Sequence, residues 1–161
     1  MLPLFPTTLQ YLDCSFNQLS ALPSFPPTLE HVCCPFNQLT SLPRFPDSIQ
    51  IVSCQNNRIT SLSSLSKNLT ILWCFANKLT SLPPLPVGLN DLFCHHNEFP
   101  DRIEEESLPA YYVRVCEWEQ EKSKERIQVN TRRFKEELMM NRWHPVRLDA
   151  LLEMGFEVDM L

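Results

Sequence analysis

From Leu69 to Leu79 the chain reads LTILWCFANKL, and that spacing of Leu, Cys and Asn returns every twenty residues. The copies are LPLFPTTLQYLDCSFNQLSA (2–21), LPSFPPTLEHVCCPFNQLTS (22–41), LPRFPDSIQIVSCQNNRITS (42–61), LSSLSKNLTILWCFANKLTS (62–81) and LPPLPVGLNDLFCHHNEFPD (82–101), with no insertion between them. A unit this short cannot bury its apolar face alone, so the copies make a core only by stacking as successive turns of a solenoid. Side chains then form columns. Leu9, Leu29, Ile49, Leu69 and Leu89 are one; Leu12, Val32, Val52, Leu72 and Leu92 a second; Leu19, Leu39, Ile59, Leu79 and Phe99 a third. Phe5, Phe25, Phe45, Leu65 and Leu85 fill the return half. A column of Asn17, Asn37, Asn57, Asn77 and Asn97 falls where the chain leaves each strand. Its amides offer both donors and acceptors to backbone groups that the ladder cannot pair.

The LxxLxLxxNxL core, with Cys in the third apolar slot, resembles leucine-rich repeats. The LPxLPxxL half and the twenty-residue period resemble the short bacterial-type members, including those that precede the catalytic domain of certain effector ubiquitin ligases. The resemblance implies an α/β solenoid, a leucine-rich-repeat parallel β coil over residues 1–101 with a mostly helical capping region over 102–161. Eleven of the 14 prolines precede residue 98, so the convex side is read as extended, polyproline-like segments.

Residues 108–140 lack Gly, have no proline after Pro109, and are rich in Glu, Lys and Arg, which predicts one long or two shorter helices. Tyr112, Val115, Cys116, Trp118 and Glu119 suggest the start of an apolar stripe, which Ile127, Thr131, Phe134 and Leu138 continue. Glu104, Glu105 and Glu106 read as a solvated acidic run. Pro145 and Gly155 bracket a final short helix. Its W-H-P-x-R-L (from Trp143) and L-x-x-G-F (from Leu152) are similar to the C-terminal tails of repeat proteins of large DNA viruses of amoebae. That resemblance implies a viral source, in host cytoplasm or virion.

Charge and cysteine usage narrow the function. Residues 1–97 carry Arg44, Arg58, Lys67 and Lys78 against Asp13, Glu30, Asp47 and Asp91, a net of zero, and the whole chain is at −5. No clustered positive surface suits nucleic acid, and no apolar run suits a membrane span or an export signal. Cys14, Cys34, Cys54, Cys74 and Cys94 recur in a slot that Leu or Val normally holds. They are expected to be inert core thiols of a reducing, intracellular (cytoplasmic) protein. Cys94, His95 and His96 are adjacent on an extended segment and so alternate faces, which argues against a metal site.

No cofactor is expected, and no catalysis. Two isolated glycines cannot form a phosphate loop. The ligases' Cys-x-Asp nucleophile motif is not matched either, since Cys116 precedes Glu117 and Trp118. What the repeat does not dictate is the set of residues between the core positions, which project from the strands onto the concave face. Tyr11, His31, Ile51, Ile71 and Asp91 form one such column, Asp13, Cys33, Ser53, Trp73 and Phe93 the next, and Phe75 and His95 follow them. Aromatic anchors of this kind usually mark a protein interface. The expected function is therefore non-catalytic protein binding, with Ile71, Trp73, Phe75 and Phe93 as anchors and Asp13, Asp91, His31 and His95 giving polar register. Three alternatives stand beside it: cover of this face by the chain's own tail, a structural or virion-associated subunit that self-assembles through an uncapped N-terminal edge near Tyr11, and an adaptor whose helical tail docks a second complex.

Overall fold

The computed structural model describes residues 2–140, with side chains described to residue 135. The expected helix around Pro145 and Gly155 lies outside them, as does the side chain of Leu138. The chain divides into two units, Met1–Gln120 and Glu121–Leu161.

In the first unit each repeat contributes one three-residue strand: β1 (Tyr11–Asp13), β2 (His31–Cys33), β3 (Ile51–Ser53), β4 (Ile71–Trp73) and β5 (Asp91–Phe93). They pair in parallel, in chain order, and every partner is twenty residues away, as in Leu12↔Val32 and Val52↔Leu72. The central residue of each strand points inward; Val32, Val52 and Leu72 are fully buried. Coverage depends on neighbours. Leu29, Ile49 and Leu69 are fully buried, whereas Leu9, on the outermost turn, is only half-buried.

No helix interrupts the return segments. Each turns back through a hydrogen bond from the first core residue of the next strand to the residue three before it, as in Leu29 N–H to Pro26 O at 3.1 Å. Phe5, Phe25 and Phe45 stack here, with centroids 6.5 and 6.1 Å apart.

The asparagine column is the seam between turns. The amide of Asn57 donates to Cys34 O of the previous repeat at 2.9 Å and to Cys54 O of its own at 3.0 Å, and its Oδ1 accepts from Leu39 N–H at 3.0 Å. Asn37, Asn77 and Asn97 repeat that geometry. A second seam, invisible in the repeat consensus, runs along the return side. Thr28 Oγ1 donates to Thr7 O and Leu9 O, Ser48 Oγ to Pro27 O and Leu29 O, and Asn68 Nδ2 to Asp47 O.

The cysteines of the column are free thiols, at most 7% exposed. Burial pushes the Cys54 thiol up to about 12 and raises that of Cys74. The Cys34 thiol is raised first by its hydrogen bond with Cys14 and then by burial.

The helix α1 spans Leu108–Met140. Ser107 caps it, its carbonyl accepting from Tyr111 N–H at 2.9 Å, and Pro109 sits in the first turn, where a missing N–H does no harm. Its opening turns close the core of the last repeat with most of the expected stripe and one residue outside it. Tyr111, one residue before the expected Tyr112, is fully buried with Val115, while Tyr112 and Trp118 are partly buried and Glu119 is exposed. The Tyr111 hydroxyl lies 3.2 Å from Cys94 Sγ and donates to Pro100 O at 3.1 Å.

Glu106 also departs from expectation. Its neighbours Glu104 and Glu105 are exposed, but Arg114 grips the Glu106 carboxylate with two bonds, 2.9 Å to Oε1 and 2.8 Å to Oε2, and donates to Asp101 O as well. Those bonds hold the Glu106 carboxyl down at about 2. In the second unit, Ile127 and Phe134 are 65% and 41% exposed and Thr131 is exposed too, so the expected stripe does not continue as a buried face. The polar run EWEQEKSKER before it breaks the apolar spacing.

Four outcomes follow from these contacts. Asn57→Leu orphans carbonyls on two turns and one N–H, and should lower stability by about 1–3 kcal/mol in urea unfolding. Asn17, whose described bonds stay within its own turn, should cost clearly less as Asn17→Leu. At Gly88 an added Cβ would lie 4.0 Å from Lys67 O, so a serine hydroxyl there would extend the return-side seam. Gly88→Ser should raise stability by about 1 kcal/mol, from one added hydrogen bond and a less flexible unfolded chain. Finally, a carboxyl whose folded value lies below the ordinary 4.5 contributes stability above that value and loses it as pH falls toward about 2. Urea midpoints measured across that window should fall less steeply for Glu106→Gln than for the wild type.

Candidate functional site

The parallel register brings the residues flanking each inward Leu or Val into two outward columns. Tyr11↔His31↔Ile51↔Ile71↔Asp91 run across one side of the sheet face, and Asp13↔Cys33↔Ser53↔Trp73↔Phe93 across the other. These side chains touch along the columns. Tyr11 meets His31 edge-on at 6.0 Å, Trp73 meets Phe93 edge-on at 6.1 Å, and Phe75 stacks flat on His95 at 4.7 Å.

Exposure separates the members. Tyr11 is 55% and Phe93 46% exposed; His31, Ile51, Ile71, Trp73, Phe75 and Asp91 are half-buried. Ser53 departs from its expected place on the open surface. Small, and in register between Cys33 and Trp73, it is buried, with its hydroxyl 2.8 Å from Gln55 Oε1. The indole N–H of Trp73 is buried with no hydrogen-bond partner among the described residues.

Polar groups on the face are partly committed. One oxygen of Asp13 accepts from Ser15 N–H at 2.9 Å and from the Ser15 hydroxyl, and these bonds hold its carboxyl below the usual carboxylate range. The Tyr11 hydroxyl lies 4.0 Å from Cys33 Sγ. Cys94, His95 and His96 part company: the Cys94 thiol packs inward on Tyr111, His95 lies on Phe75, and His96 is exposed and edge-on to His95.

An aromatic pair at the rim of the face was not among the expected anchors. Phe16 and Phe36 stack at 4.5 Å with planes 10° apart, yet are 75% and 46% exposed. They belong to a column, continued by Asn56, Ala76 and His96, in which every residue has φ between 51° and 55°. Nothing in the sequence flags that geometry, because glycine, its usual mark, is absent there.

Residues 47–87 match the family described as Leucine Rich repeats (2 copies). No curated protein matches the chain. Among solved structures, a Shigella effector leucine-rich-repeat domain is 33% identical over 57% of this chain and 42% of its own, with a TM-score of 0.56. The leucine-rich effector protein YopM of Yersinia pestis is 32% identical over 60% of this chain and 28% of its own, at a TM-score of 0.58. YopM of Yersinia enterocolitica is 29% identical, covering 65% and 33%, at 0.51. The chain thus spans less than half the length of each. The parallel coil is of the leucine-rich-repeat type seen in these structures, and residues 47–87 match the repeats themselves.

Proposed function

We propose that the solenoid is a non-catalytic protein-interaction module that takes a protein partner on its sheet face. The observation that carries this reading is the placement of Tyr11, Phe93 and the Phe16–Phe36 pair: large aromatic surface left open on positions that stacking does not require. The hydrophobic core contains none of these four side chains.

The chemistry is burial and hydrogen bonding. Trp73 and Phe93 form an aromatic corner with Ile71 beside it in β4, and aromatic anchors of this kind carry most of the binding energy in protein interfaces. The unpaired Trp73 N–H is a donor that a partner's carbonyl would satisfy after a small rotation of the ring. Asp13, Asp91, His31 and His95 supply polar contacts at the margin. The leucine-rich-repeat fold is typical of interaction modules, and the similar solved structures include bacterial effectors. The buried, unpaired thiols fit a reducing compartment.

The test compares two charge insertions. Phe93→Asp adds a carboxylate to the sheet face; Val87→Asp adds one to the fully exposed return side. Proteins captured from source-cell extract by the wild type should be retained by Val87→Asp and lost with Phe93→Asp, at equal melting temperature. Equal retention by both variants would refute the assignment of the face.

A further inference from the structure

Charge on the sheet face has one sign. Across the two strand columns and the two positions that follow them, only Asp13 and Asp91 carry a formal charge, while Arg44, Arg58, Lys67 and Lys78 all fall elsewhere in the repeat. Among the described residues neither carboxylate has a cation partner: Asp13 uses one oxygen on Ser15, and Asp91 takes no side-chain hydrogen bond or ion pair.

Each acid stands beside open aromatic surface. Tyr11 and Phe16 flank Asp13 in the first repeat; Phe93 shares β5 with Asp91 and pairs with Trp73 of β4, while Asp91 itself pairs with Ile71. Between these two poles the third repeat presents Gln55 and Asn56 beside the half-buried Ile51, with Ser53 buried beneath. From β1 to β5 there are four strand spacings, about 19 Å at roughly 4.8 Å each, which about six extended residues would cover.

Resting on the reading of this face as a docking surface, we infer that its occupant is an extended, positively charged peptide segment laid across the strands. A Lys or Arg near each end meets Asp13 and Asp91, and apolar side chains about six residues apart cover Tyr11–Phe16 and Trp73–Phe93. A nucleic acid does not fit, because both fixed charges would repel its phosphates. A helical segment would need about thirteen residues for the same span, roughly twice the length of an extended one.

The experiment selects binders from a random peptide library displayed on phage, using the full-length protein. Enriched peptides are then synthesised and titrated against wild type, the double variant Asp13→Asn/Asp91→Asn, and Phe93→Asp. Enriched sequences should carry an excess of Lys and Arg flanking apolar residues. Their affinity should fall about tenfold in the double variant and weaken as sodium chloride is raised. Circular dichroism should show all variants folded. Enrichment without basic excess, binding lost only in Phe93→Asp, would overturn the charged-segment inference while leaving the docking face intact. Binding unchanged in Phe93→Asp would overturn both, and so would the absence of any enrichment.

Discussion

A single carboxamide per turn is the contact on which this architecture turns. Strands of three residues form too few ladder bonds to hold a sheet by themselves, and each unit leaves carbonyls unpaired where the chain bends away. Asn57 closes both gaps by binding carbonyls of its own turn and of the one before while accepting an N–H from the latter. The amide therefore couples neighbours, and stability becomes a property of the stack. Burial records the same dependence: the leucine, isoleucine and valine positions fully enclosed in the second to fourth repeats are only half-enclosed at Leu9, Leu12 and Leu19 of the first.

Such a stack needs an end, and the fifth repeat shows how it is made. Beyond Phe99 no further turn arrives to cover Cys94 or to pair the Pro100 carbonyl. Tyr111 does both, its ring filling the space and its hydroxyl reaching Cys94 Sγ and Pro100 O. The Arg114–Glu106 pair then ties the connecting loop to the helix; lying near the surface, it contributes through bidentate geometry more than through raw charge attraction. Order in this part of the chain comes from contacts made once, Tyr111 and Val115 in the core and the Arg114–Glu106 pair beside them, where the solenoid relies on repetition.

What was legible in the sequence follows from that difference. A twenty-residue period announces the inward columns, the asparagine seam and the parallel register, because each is enforced five times over. The return-side seam was hidden because Thr28, Ser48 and Asn68 are different residues doing one job. Tyr111 was missed because a helical stripe has no second copy to fix its phase; Val115, Tyr112 and Trp118 pack on the core as expected, but the deepest contact lies one residue before the stripe's expected start. Glu106 looked like its two neighbours until the structure placed Arg114 across from it. On the sheet face, the columns could be read but their depth could not: whether Ser53 is open or buried depends on the sizes of the residues beside it, which no consensus encodes.

The left-handed column bears on how the open face should be understood. An L-residue with φ near 55° costs about 1–2 kcal/mol, which glycine avoids and asparagine reduces. Asn56 shows that the repeat accepts a residue suited to that geometry, and the turn is formed equally well there, with Asn56 N–H on Phe75 O at 3.1 Å. Phe16 and Phe36 occupy the equivalent positions without that advantage, and their rings stay 75% and 46% exposed. Their mutual stacking, worth about 0.5–1.5 kcal/mol, offsets only part of the backbone cost of two phenylalanines. A chain optimised for its own stability would place Asn or Gly there. Strain held in register at the rim of an aromatic face is the pattern expected when side chains are displayed for something outside the core.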